Sequence, residues 1–178
     1  VNSIEDMASS DCDVVHVLLP PHLHEMAATV LVESGKSLFI EKPFVLKSAC
    51  VPSLSAKAEA RGVVLGINHN FLFGRNYQPL RDLVRGGGLG RIDSMTIDWQ
   101  YQLPFIKHGP FDNWIVSGAT NALFEIASHP LAFALDLAGD FHVDHVQTSD
   151  FITLPSGISL PQRWYIAGHY SQGSIAIN

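Results

Sequence analysis

Cysteine is scarce in this chain. Cys12 and Cys50 are the only two in 178 residues, and their spacing matches no metal-ligand pattern. A disulfide-stapled scaffold is thereby excluded, and two reduced thiols in a cytoplasmic protein is the ordinary reading. Positive charge is scarce too. Eleven Lys and Arg against seventeen Asp and Glu leave a formal net charge of −6, which argues against a general nucleic-acid binder, because phosphate neutralisation needs clustered cations. No apolar run approaches a membrane span, and no signal-peptide layout opens the chain. His22, His24 and His69 include no H-x-x-x-H pair, so no metal is expected. Internal repeats and low-complexity segments are also lacking. What the chain does have is 47% apolar and 16% charged residues, enough for a packed core in one domain or parts of two.

Asn2, Ser3, Glu5 and Asp6 read as a helix start, with Ser3 as cap and acidic residues in the first turn. Residues 14–19 form a short β-branched and apolar run closed by Pro20 and Pro21, the pattern of a buried parallel strand. Met26, Ala27, Val30 and Leu31 recur at helical spacing until Gly35. Residues 37–40 are a second strand. Residues 46–61 are a second helical pattern, in which Pro52 marks either a break or a late start. Residues 63–67 are a third strand. Strand, helix, strand, helix, strand is half of a doubly wound nucleotide-binding fold.

Beyond Asn68 the character changes. Residues 77–85 read as a helix, and the glycines at 86, 87, 88 and 90 as a flexible connection. Met95, Ile97, Trp99 and Tyr101 share one face of an alternating strand, as in a one-face-buried antiparallel sheet. A helical pattern follows and ends at Gly139, and residues 142–148, 151–154 and 164–170 are further strand candidates. A domain boundary is predicted at residues 71–74. No G-x-G-x-x-G stands between a strand and a helix, so a pyrophosphate-binding turn is missing from these residues.

Two segments carry candidate chemistry. In the first, the strand at residues 37–40 stops at Glu41, Lys42 and Pro43, delivering a carboxylate and an ammonium to one sheet edge. Ligands bind at the carboxyl ends of strands in such sheets. Taken alone, Lys42 reads as an ordinary exposed lysine. In the second, Glu125 and His129 are four apart and share a helix face if the helix is continuous, so the carboxylate can orient the imidazole. If Pro130 instead starts a new helix, that face is not shared.

The ordered set of Pro20, His24, Gly35-Lys36 and Glu41-Lys42-Pro43 resembles the Gfo/Idh/MocA family of glucose-fructose oxidoreductases and inositol dehydrogenases. The resemblance runs from about residue 6 to residue 154. It implies an NAD(P)-dependent oxidoreductase that passes hydride between a nicotinamide cofactor and a carbinol carbon of a sugar, polyol or derivative. In that family the lysine of the first motif is catalytic, the glutamate lies near the cofactor, and the Lys-Pro peptide is commonly cis. The histidine of the second motif transfers a proton. Carried over, catalytic roles fall to Lys42, His129 and Glu125, and cofactor binding to Pro20, His24, Glu41, Lys42, Pro43 and Asn68. Here Leu19 stands where the family often has threonine, Glu125 where it has aspartate, and Thr120-Asn121-Ala122 where it is glycine-rich. Arginine is frequent where this chain has His69 and Asn70, so Asn68 and His69 either line the cleft or simply form a loop.

The expected fold is α/β. Residues 1–72 would be the C-terminal half of a dinucleotide-binding Rossmann domain, and residues 73–178 part of an α+β substrate and oligomerisation domain with a mainly antiparallel sheet. The chain is expected to be a fragment lacking the glycine fingerprint and inactive alone, its parent a homo-oligomeric, cytoplasmic enzyme using NAD or NADP. A non-catalytic pseudoenzyme or inactive fragment of the same fold is the alternative.

Overall fold

Ser3 opens the first helix, its hydroxyl oxygen accepting from the Asp6 amide at 3.0 Å, a side-chain cap of the kind that satisfies a helix's first donors. In this computed structural model, which describes residues 3–178, that helix, α1, covers Ile4–Ala8. Asn2, read above as part of the helix start, lies outside the described residues. The chain divides into two units, Val1–His69 and Asn70–Asn178.

In the first unit, α1 is followed by β1 (Val14–Val17), α2 (His24–Glu33), β2 (Ser37–Glu41), α3 (Val51–Arg61) and β3 (Leu65–Asn68). The strands form a parallel sheet in the order β1-β2-β3, with Val15 opposite Leu38 and Ile40 opposite Ile67. Pro52 lies in the first turn of α3, so the helix starts late; a short 3-10 turn, Ser48–Cys50, precedes it. A proline there forfeits no intrahelical bond. Gly62 closes α3 in a left-handed conformation that glycine adopts without steric cost.

The core packs Val15, Val17, Leu38 and Ile40 of the sheet against α2 and α3. Ala27 and Ala28, both fully buried, let α2 lie close to the sheet. Burying each Val, Leu or Ile side chain contributes about 1.5–3 kcal/mol. The β1 segment is not the doubly buried strand that its apolar run suggests: Val14 and Leu18 are 62% and 67% exposed while Val15 and Val17 are buried. Among the described residues the helices cover one face, so alternate side chains stay in solvent. Met26 is also exposed, and the buried stripe of α2 is His24, Ala27, Ala28, Leu31 and Val32.

The second unit contains α4 (Tyr77–Arg85), β4 (Ser94–Ile97), α5 (Phe105–His108), α6 (Asn121–Ala138), β5 (Phe141–Thr153), β6 (Ser159–Tyr170) and β7 (Gly173–Ile177). Its sheet runs β4-β7-β6-β5, antiparallel except for the β4–β7 pair. Ile166, Ile175 and Ile177 pack with Met95 and Ile97 against Ala134 and Leu131 of α6. The β4 strand ends at Ile97; Trp99 stays half-buried but Tyr101 is 64% exposed. Residues 141–153 form one strand rather than two: Asp150 takes a positive φ of 54° within it, and its carboxylate accepts from Arg163 Nε at 2.8 Å. No helix among the described residues is long and apolar enough to cross a membrane.

Tyr77 and Arg85 of α4 both donate to the carboxylate of Asp136 on α6, each at 2.6 Å. Burial first, then the hydrogen bond to Asp136, push the Tyr77 phenol above its ordinary range. Across β5 and β6 the backbones approach so closely at Gly168 that a Cβ there would lie 2.1 Å from the His142 carbonyl oxygen, beside the bulge at Val143 and His145. Backbone cannot swing aside as a side-chain tip can. Gly168→Ala is therefore expected to destabilise the protein by about 1–3 kcal/mol, read as a lower midpoint in chemical denaturation; an unchanged midpoint would contradict this packing.

Candidate active site

At the carboxyl end of β2, Glu41 pairs in register with Asn68 of β3. Residues opposite one another in a parallel pair point to the same face, and the Asn68 amide donates to Glu41 Oε1 at 2.5 Å. His16 of β1 lies on that face as well, Nε2 at 3.5 Å from the same carboxylate oxygen and its ring 5.1 Å from that of Phe39. The next residue, Lys42, is half-buried and begins a turn in which the Lys42–Pro43 peptide is cis. Its ammonium acts on His69, just beyond β3. Burial first, and the Lys42 charge second, hold the His69 imidazole below its usual range. His69 Nδ1 is buried and meets no hydrogen-bond partner among the described residues. Pro20 is exposed at the exit of β1, its carbonyl accepting from the Leu23 amide at 2.9 Å.

His24 occupies a different position. It opens α2 with no exposed surface. Its Nδ1 lies 2.9 Å from the Pro43 carbonyl oxygen and its Nε2 lies 2.7 Å from that of Leu19. Carbonyls only accept; a neutral ring carries one N–H and meets one of them, a doubly protonated ring both. A ring so enclosed presents no surface to a dinucleotide. Its geometry is that of a brace between the exits of β1 and β2.

In the second unit α6 runs unbroken through Pro130, so Glu125 and His129 stand one turn apart on one helix and share a face. The His129 ring stacks on Trp99 at 5.7 Å and 25°, and meets Phe71 edge-on at 4.7 Å. Phe71 and Trp99 are themselves 5.2 Å apart. Trp99 is placed by the sheet, its amide donating to the Asn178 carbonyl at 2.9 Å.

Residues 1–69 match a family model described as an oxidoreductase family with an NAD-binding Rossmann fold, GFO_IDH_MocA. Through them, the first unit is similar to the Gfo/Idh/MocA oxidoreductases. The chain is 33% identical over 86 residues to dTDP-3,4-didehydro-2,6-dideoxy-alpha-D-glucose 3-reductase of Streptomyces violaceoruber, covering 48% of this chain and 25% of that protein. It is 23% identical over 142 residues to scyllo-inositol 2-dehydrogenase (NADP(+)) IolW of Bacillus subtilis, covering 78% of this chain and 38% of the relative. The WlbA dehydrogenase of Bordetella pertussis, solved with NADH and UDP-GlcNAcA, shares the fold over the whole of this chain and 51% of its own, at a TM-score of 0.78 and 20% identity. The chain thus spans from a quarter to about half the length of these proteins. The cofactor class of the family is NAD or NADP.

The structure brings Glu41 and Asn68 into direct contact and sets Lys42 close enough to His69 for its charge to act there. The residues weighed least in the sequence are His16, Phe71 and Trp99. His16 carried no signal, because strand register cannot be read from a single run. Trp99 read as packing, which it is, though its partner is His129. The Lys42–His69 coupling has a titration consequence. The fold lowers the His69 pKa, so its neutral form is favoured in the native state. That contribution to stability is fully present above the unfolded value of about 6.5 and is lost as the pH falls through the folded value. Lys42→Met should move the His69 NMR titration midpoint upward. A midpoint unmoved by Lys42→Met would refute the coupling. His24→Ala should lower stability by about 1–3 kcal/mol for the buried carbonyl it abandons, measured by thermal melting.

Proposed function

We propose that the protein is a nicotinamide-dependent oxidoreductase that moves hydride between the cofactor and a carbinol carbon of a sugar, a polyol or a derivative. The observation that supports this best is the polar grouping of Glu41, Lys42, Asn68 and His69 where parallel strands end, in a unit that matches an NAD-binding family. When bound, NAD or NADP supplies the two-electron acceptor. Pro20, Glu41, Lys42, Pro43 and Asn68 are assigned to its nicotinamide end, since they lie at or just beyond the carboxyl ends of the strands. No residue of this chain is assigned to the pyrophosphate, for no glycine-rich turn joins a strand to a helix here. His24 serves as a positioning residue, holding the Pro43 carbonyl and with it the turn that carries Lys42.

When hydride leaves a carbinol carbon, the hydroxyl proton must leave too, and a positioned base accelerates that step. His129 is assigned the proton, Lys42 a hydrogen bond to the substrate oxygen, and Glu125 the orientation of His129 from one turn earlier on α6. In the same reading the second unit is the substrate and oligomerisation domain of a homo-oligomer. The exposed apolar side chains Val143, Val146 and Phe151 along β5 support the latter part.

The test is steady-state turnover of the purified protein with NAD and with NADP over a panel of sugars and polyols. Lys42→Met and His129→Ala should each lower kcat by roughly 10²–10⁴-fold, with cofactor affinity little changed. Near-wild-type kcat in both variants would remove these assignments.

A further inference from the structure

Two cavities of the second unit share a wall formed by Tyr101, Gln102, Ile126, Gln162 and Trp164. The larger, of about 740 Å³, is completed by Trp99, Gln100, Leu123 and Pro130 among others. The smaller, of about 430 Å³, is lined also by Lys107 and His108 on α5. Both volumes are of the size that holds small ligands. Their chemistry is uneven. The larger offers indole faces and carboxamides, surfaces that suit the C–H faces and hydroxyls of a sugar ring. The Trp99 indole that lines it also stacks on His129. The smaller cavity offers an ammonium and an imidazole.

Charge separates these walls from the rest of the molecule. The chain carries a formal −6, yet among the described residues lining the two cavities there is no Asp or Glu. Arg163 also borders the larger cavity, but its charge is matched by Asp150 at 2.8 Å. The Lys107 ammonium remains in this lining without an acidic neighbour there, with the His108 imidazole next to it in sequence.

We propose that the two cavities together take one sugar bearing an anionic substituent, a carboxylate or a phosphate. The ring lies in the larger cavity and the anion at Lys107 and His108. This rests on the oxidoreductase reading and extends it by fixing the charge of the substrate.

The experiment is calorimetric titration of the purified protein with glucose, glucuronate and a glucose phosphate. An ionised group adds a charge-assisted hydrogen bond, so an anionic sugar should bind roughly 10–100-fold more tightly than glucose. The preference should vanish in Lys107→Ala with His108→Ala and persist in Lys107→Arg, while glucose binding stays within about twofold throughout. Which anion is preferred identifies the substituent. Equal binding of glucose and both anions, a preference that survives the double substitution, or no binding of any of the three overturns the proposal. Hydride transfer is followed in parallel by nicotinamide absorbance. Anion preference without turnover of any sugar keeps the subsite and removes the oxidoreductase reading; turnover confined to neutral sugars does the reverse.

Discussion

One buried imidazole holds the carboxyl edge of the first sheet together. His24 sits between the exit of β1 and the turn after β2, Nε2 2.7 Å from the Leu19 carbonyl oxygen and Nδ1 2.9 Å from that of Pro43. Side chains ending in one polar atom cannot span two carbonyls in this way, and a larger ring would not fit a site with no exposed surface. Because α2 packs on the sheet through Ala27 and Ala28, the helix that supplies His24 is itself held at close range. Lys42 is fixed from both sides, by the β2 ladder before it and by the braced Pro43 after it. The contact of Glu41 with Asn68 adds a cross-strand hydrogen bond at the same level.

The second unit fixes its histidine by different means. His129 is framed by rings, with an indole stacked on its face and a phenyl meeting it edge-on. These contacts are non-directional in hydrogen-bonding terms, yet they set the plane of the imidazole and hence the directions of its nitrogens. The first unit positions charge with backbone carbonyls; the second positions a titratable ring with aromatic surface.

Where a local rule sufficed, the sequence was readable. Proline and glycine marked the ends of the β1 segment, α2 and α6, and the β-α alternation to Asn68 named the parallel sheet. Glu41-Lys42-Pro43 was legible as a strand end because the apolar run stops there. What escaped depends on geometry that one sequence does not hold. The register placing His16 and Asn68 around Glu41 is a relation between strands. The exposure of Val14 and Leu18 follows from which faces the helices cover. Glycine, serine and alanine disguise β7, whose alternation is only five residues long. Polar Ser149 and Asp150 looked like a break in β5, but a residue with positive φ and an arginine partner carries the strand through. Pro130 left two helix geometries open, and a continuous α6 is the one adopted.

Along α6, Glu125, His129, Phe133 and Asp136 follow one another at spacings of four, four and three, so they line one stripe of the helix. Phe133 meets both Tyr77 and Trp99, and Asp136 is gripped by α4. The stripe thus has a ring-framed end at His129 and an anchored end at Asp136 two turns apart, locked in phase. Substitutions elsewhere on the helix leave that phase alone, but inserting or deleting a single residue between His129 and Asp136 turns one end by about 100° relative to the other. Length in this segment is therefore under a stricter constraint than composition, and natural variation that preserves this arrangement must conserve the count of residues here even where it changes their identity.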